Sequence, residues 1–127
     1  MPSFKWCVRV RILANLVLGV ALLGLPLIHF AIPAEWAPDP HWVRMFGIAL
    51  IFIALAHIAS AVAPEWAMSS NLFVILGPIL PIILLLWLSW QVSNPAILAI
   101  ALYETVFLLL LNWSFRRDGL RELMRKP

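Results

Sequence analysis

Four long apolar runs dominate the chain, and short segments rich in proline, charge or polar side chains separate them. The runs cover residues 12–32, 45–62, 72–90 and about 96–113. Each is close to the roughly 20 apolar residues that a helix needs to cross a bilayer, and longer than the roughly 7–15 of a signal peptide. The pattern predicts an all-α integral membrane protein, a single domain over residues 1–127, whose four spans form an up-down-up-down bundle.

Prolines occur inside these runs as well as between them. Pro26 lies in the first run, and Pro78 and Pro81 lie in the third. Each removes a backbone donor, so helix kinks are expected at all three positions. Kinks of this kind occur in membrane helices for structural reasons alone, and some transporters use broken helices to bind their substrates.

The distribution of basic residues predicts the orientation of the chain. Of the nine lysines and arginines, all but Arg44 lie in the two terminal segments: Lys5, Arg9, Arg11, Arg116, Arg117, Arg121, Arg125 and Lys126. By the positive-inside rule both termini are cytoplasmic, which an even number of spans also requires. Residues 114–127 then form a basic cytoplasmic tail.

Tryptophan gives a second indication of the span ends, because the indole ring favours the headgroup region. All seven tryptophans fall at predicted span ends. The outer group is Trp36, Trp42, Trp87 and Trp90, and the inner group is Trp6, Trp66 and Trp113.

Composition excludes a soluble domain. The chain is 64% hydrophobic and 12% charged, against about 45–50% and about 25% in soluble domains. The net charge of +3 comes from residues that flank the spans, which indicates contact with lipid headgroups rather than nucleic acid. The one cysteine, Cys7, cannot form an internal disulfide.

Glu104 is the first candidate for a functional residue because it lies near the middle of the fourth run. A charged side chain at that depth costs about 2.5–3.5 kcal/mol on insertion scales, so it must face a partner or stay protonated. His57, among small residues of the second run, is the expected partner. Such a pair either holds two helices together or relays a proton.

His57 has a further interpretation as an axial ligand of a tetrapyrrole through a free ring nitrogen. No second histidine lies at matching depth, which weakens that interpretation. No metal site is predicted at the outer surface, since His29, Glu35, Asp39 and His41 lack a compact ligand spacing. No catalytic motif is present, so an enzyme is not predicted.

The predicted function is that of an accessory subunit in a larger membrane-embedded electron-transfer complex, respiratory or photosynthetic, in a bacterial inner membrane. Short loops and apolar helix faces fit a protein that packs laterally against lipids and other transmembrane subunits, and that binds lipid, quinone or pigment. The alternative is a small oligomeric proton-coupled transporter that uses Glu104 and His57. Few polar residues are available to line a path across the membrane, which favours the first hypothesis.

Overall fold

The computed structural model describes residues 3–24, 40–92 and 95–119, and these are almost entirely helical. These three ranges contain six α-helices and one 3₁₀ turn, in chain order α1 (Phe4–Leu23), α2 (Pro40–Ala56), α3 (Ile58–Val62), the 3₁₀ turn (Pro64–Trp66), α4 (Met68–Leu76), α5 (Ile79–Val92) and α6 (Pro95–Arg117). No strand occurs in these three ranges, and the all-helical prediction is confirmed for them.

Among the described residues, three helical segments are long and apolar enough to cross a membrane, namely Phe4–Leu23, Met68–Gln91 and Ile97–Arg117. A shorter apolar helix covers Arg44–Ala56, or about 20 Å of helix axis against a hydrocarbon thickness of about 30 Å. The helix is shorter than the predicted second run because it is interrupted at His57 and continues as α3. Length and composition together indicate a membrane protein.

The first helix begins at Phe4 rather than at residue 12. Its N-cap is Ser3, whose hydroxyl accepts a hydrogen bond from the backbone N–H of Trp6 at 3.2 Å, the usual role of serine at this position. Arg11 is therefore two turns inside the helix and not in a flanking segment. Residues 25–32 of the predicted run, with Pro26, lie outside the described residues.

Helices α1 and α6 are antiparallel neighbours. At one end the rings of Phe4 and Phe115 make an edge-to-face contact with centroids 5.2 Å apart. The backbone N–H of Phe4 donates to Oδ2 of Asp118 at 2.7 Å, and a carboxylate at a helix N-terminus also interacts favourably with the helix dipole. The start of α1 and the end of α6 consequently lie together.

Apolar side chains cover the outside of the bundle as well as its interior. A buried cluster at the α1 start and α6 end consists of Phe4, Cys7, Val8, Ala61, Val74, Ile75, Phe107, Leu111 and Phe115. Large apolar residues such as Val17, Phe52, Leu80 and Leu109 are exposed on the long helices. Water disfavours such a surface, whereas lipid tails accommodate it.

Two glycines allow α1 and α2 to pack closely. A Cβ atom on Gly19 would lie 2.8 Å from the backbone oxygen of Gly47, and a Cβ on Gly47 would lie 2.8 Å from the oxygen of Gly19. Small residues at a contact between membrane helices have this effect because van der Waals packing is the main attraction there. The glycine pair sets the distance between the two helices.

The chain is also interrupted at Gly77 and Pro78, between α4 and α5, whereas Pro81 lies within α5 without ending it. Next to this break, the side-chain amide of Asn112 on α6 donates to the carbonyl of Ile75 at 2.9 Å. A neighbouring helix thereby satisfies a backbone group at the break, as an apolar environment requires.

The break at His57 has a similar arrangement. The hydroxyl of Ser60 donates to the hydroxyl of Ser70 at 2.8 Å, and that of Ser70 donates to the carbonyl of Ala56 at 3.0 Å. These two bonds connect the end of α2 to α3 and α4. Both breaks are fixed in position by side-chain hydrogen bonds.

Five of the seven tryptophans have described side chains, and all five are exposed: Trp6, Trp66, Trp87, Trp90 and Trp113. Trp36 and the side chain of Trp42 lie outside the described part of the chain. The exposure of these rings leaves them free to contact lipid headgroups.

We expect Gly19→Leu to separate α1 from α2 and lower the free energy of unfolding by about 1–3 kcal/mol, the usual cost of overpacking. Thermal unfolding of purified protein in detergent measures the effect. Val20→Leu, on the exposed side of the same helix, is the matched control and should leave the melting temperature unchanged. Equal melting temperatures for the two variants would show that the glycine contact does not control the packing.

Candidate functional site

A buried ion pair joins α1 to α6. Nη2 of Arg11 donates to Oε2 of Glu104 at 2.5 Å. The two residues are only 1% and 5% exposed. Charge-assisted hydrogen bonds are short and strong, and removing one partner of such a buried pair leaves an uncompensated charge. The pair therefore links the two helices strongly.

Aromatic rings surround the arginine. The Cζ atom of Arg11 lies 5.1 Å from the ring centroid of Tyr103 and 4.9 Å from that of Phe107, within the range of cation–π attraction. The Tyr103 hydroxyl donates to Oδ1 of Asn15 at 2.7 Å, one turn further along α1. Two polar contacts in successive turns thus fix the register of α1 against α6.

His57 lies at the break after α2 and is 1% exposed. Its ring makes an edge-to-face contact with Phe73, with centroids 5.5 Å apart and an interplanar angle of 89°. Neither ring nitrogen makes a well-aligned hydrogen bond to the described residues, although the backbone of Ile53 lies near the ring. A buried imidazole without a well-formed hydrogen bond is unusual in a protein interior, where most buried polar groups have a partner.

The expected pair between Glu104 and His57 is corrected by this geometry. Glu104 binds Arg11 instead, because a permanently charged guanidinium attracts a carboxylate more strongly than an imidazole does. His57 and Glu104 nevertheless border the same cavity.

The cavity has a volume of about 320 Å³ and is partly open at the surface of the bundle. Arg11, His57 and Glu104 form its polar wall, and the remaining wall is apolar and includes Leu50 of α2, Phe73 of α4 and Leu85 of α5. Gly77 and Pro78, at the helix break, also line it. A mostly apolar cavity with a few convergent polar groups is typical of small-molecule sites.

Sequence reasoning assigned Arg11 to the cytoplasmic flank and so missed its role in the site. A signal was present: Phe4, Cys7, Val8, Arg11 and Asn15 follow helical spacing on one face behind the capping residue Ser3, and all five are buried. Helical spacing that begins at a serine cap indicates a helix that already includes the arginine. The basic side chain of Arg11, taken by itself, indicates a flanking segment instead of a helix interior.

Other candidate residues are less informative. His29, Glu35 and Asp39 lie outside the described residues, and so does the side chain of His41. Within the described ranges no group of three histidine, cysteine, aspartate or glutamate residues could hold a metal ion. The described site therefore consists of the ion pair, His57 and the apolar walls.

We expect Arg11→Met and Glu104→Met each to lower the free energy of unfolding by about 3–5 kcal/mol, because each leaves the opposite charge buried and unpaired. The free energy of unfolding should fall less in the double variant than in either single variant, since no unpaired charge remains buried. Unfolding in mixed micelles with increasing sodium dodecyl sulfate measures all three free energies.

Arg44→Met removes an exposed arginine and is the control for the loss of charge alone, with no measurable change expected. Losses that simply add in the double variant would contradict a direct coupling between Arg11 and Glu104.

Comparison with known proteins adds no relative on which to base an assignment. No family model matches the chain, and neither a curated protein nor a solved structure matches it. A functional interpretation therefore depends on the residues of the cavity and on the surface of the bundle.

Proposed function

We propose that the chain is an accessory subunit of a larger membrane-embedded electron-transfer complex, respiratory or photosynthetic, in a bacterial inner membrane. It acts by packing against transmembrane partners and by binding a lipid-soluble molecule, and it catalyses no reaction itself. The observation that carries this proposal is the apolar cavity of about 320 Å³ with the buried Arg11–Glu104 pair in its wall. A site of that composition suits a molecule with an apolar body and a small polar group.

The outer surface of the bundle supports lateral packing. Exposed side chains on α1, α5 and α6 are predominantly large and apolar, and Leu13, Ile83 and Val106 are representative. The helices of residues 40–92 follow one another through short connections. A bundle with such a surface meets its partners through helix faces.

The proposed topology is a four-helix bundle with both termini in the cytoplasm. The contact between Phe4 and Asp118 supports it, because it holds the beginning of α1 and the end of α6 at the same end of the molecule. Arg116 and Arg117 lie in the last turn of α6, where the positive-inside rule and the helix dipole both favour basic residues.

We expect a fluorescent protein fused after residue 127 to fluoresce and alkaline phosphatase fused there to be inactive, since the first reporter needs the cytoplasm and the second an oxidising compartment. Fusions after Gln91, which follows the third predicted span (residues 72–90), should give the reverse result: active alkaline phosphatase and no fluorescence. The same result at both positions would contradict the four-span topology.

We further expect the tagged chain, solubilised from native membranes in digitonin, to be captured in stoichiometric amounts with other transmembrane subunits. Mass spectrometry identifies these partners, and an absorption spectrum with an organic extract reveals any bound pigment or quinone. An unrelated membrane protein with the same tag is the control for non-specific capture.

A solitary, ligand-free oligomer would contradict the accessory-subunit proposal and favour proton-coupled transport. The position of Glu104 at the edge of the cavity is the observation in favour of that second function. Proton-coupled flux in proteoliposomes that disappears in Glu104→Gln and persists in Arg44→Met would then establish this second function.

A further inference from the structure

Unpartnered donors line the polar wall of the cavity. Nε and Nη1 of Arg11 have no hydrogen-bond partner among the described residues, although the residue is almost completely buried. The ring nitrogens of His57, which also lines the cavity, make no well-aligned hydrogen bond to these residues either, although the backbone of Ile53 lies near the ring. The rings of Tyr103 and Phe107 compensate the arginine only in part, and a buried polar atom without a well-formed hydrogen bond costs about 1–3 kcal/mol. A ligand that offers hydrogen-bond acceptors at this wall would recover that free energy.

The charges of the wall indicate a neutral ligand. Arg11 and Glu104 already cancel each other at 2.5 Å. An anionic ligand would add an uncompensated negative charge to an apolar cavity, where such a charge is very costly. Since guanidinium nitrogens are donors only, the ligand must supply acceptors such as carbonyl oxygens. His57 in its neutral form adds one donor to the same wall.

The apolar walls suit a flat ring with a hydrocarbon tail. Phe46 and Phe73 line the cavity together with Leu85 and Pro81, and aromatic walls favour stacked or edge-on contacts with a planar ring. Most of the lining comes from α2, α4 and α5, and the cavity is partly open. This opening lets an apolar tail leave the cavity toward the surrounding lipid.

We propose that the cavity binds the head of a quinone-type molecule, that is, a neutral ring with carbonyl acceptors and an apolar tail. One carbonyl oxygen accepts a hydrogen bond from Nη1 or Nε of Arg11, and His57 provides a second polar contact. Glu104 holds the guanidinium in place and does not contact the ligand. This inference rests on the ligand-binding part of the proposed function and assigns the class of ligand.

The test uses purified full-length protein in lipid nanodiscs and a benzoquinone with a decyl tail as the probe. Equilibrium dialysis against empty nanodiscs corrects for partition into lipid. Wild-type protein should bind the probe saturably with one molecule per chain, and decylbenzene, which lacks carbonyl groups, should show partition only.

Two variants test the position of the site. Ala49→Phe, at an alanine that lines the cavity, should abolish saturable binding because the new ring occupies the cavity. His57→Leu should weaken binding about tenfold through the loss of one hydrogen bond. Ala59→Phe, at an exposed alanine outside the lining, is the matched control and should bind as the wild type does. Circular dichroism and thermal unfolding establish that each variant is folded.

Three results would overturn the proposal. The first is an absence of saturable binding by folded wild-type protein, and the second is unchanged binding by folded Ala49→Phe. The third is displacement of the quinone by equimolar decanoate, which would assign the cavity to an anionic acyl chain. Because the assay uses the isolated chain, these results are independent of capture with partner subunits, and either proposal can fail without the other.

Discussion

A guanidinium buried inside an apolar bundle constrains the rest of this molecule. Arg11 lies two turns into α1 and is almost completely covered, and its charge at that depth is stable only with a counter-charge on an adjacent helix. Glu104, in the interior of α6, provides that charge. The pair fixes which helices are neighbours and, with Tyr103 and Asn15, fixes their register. The antiparallel contact between Phe4 and Asp118 follows from this register.

The two helix breaks lie in the same apolar environment, and their backbone groups need hydrogen-bond partners there. Backbone groups released at a break cannot hydrogen-bond to water inside a bilayer, so the protein must satisfy them. Asn112 does so beside the break at Gly77 and Pro78, and Ser70 does so beside His57. Both breaks border the cavity. His57, Gly77 and Pro78 thus line the candidate binding site together with the ion pair.

The ion pair also determines the chemistry of that site. A paired arginine contributes no net charge to the cavity but retains donors that no described residue occupies. This combination favours a neutral molecule with acceptor groups over an anion. It also assigns Glu104 a positioning role, in which the carboxylate orients the guanidinium. Under the proposed function, the apolar outer faces of the bundle are the surfaces that pack beside larger membrane subunits.

The sequence by itself determined the helical class and the apolar environment, because both follow from run length and composition, which are local properties. It also indicated Pro78 as a position of irregular helix, since proline lacks a backbone donor wherever it stands, and it indicated that Glu104 needs a partner. The identity of that partner depended on tertiary structure. Arg11 and Glu104 are far apart in the chain, and only the antiparallel packing of α1 on α6 brings them together. The same packing leaves His57 without a hydrogen-bonded carboxylate among the described residues and places it at a cavity. No local pattern encodes this outcome, because it depends on where distant helices meet.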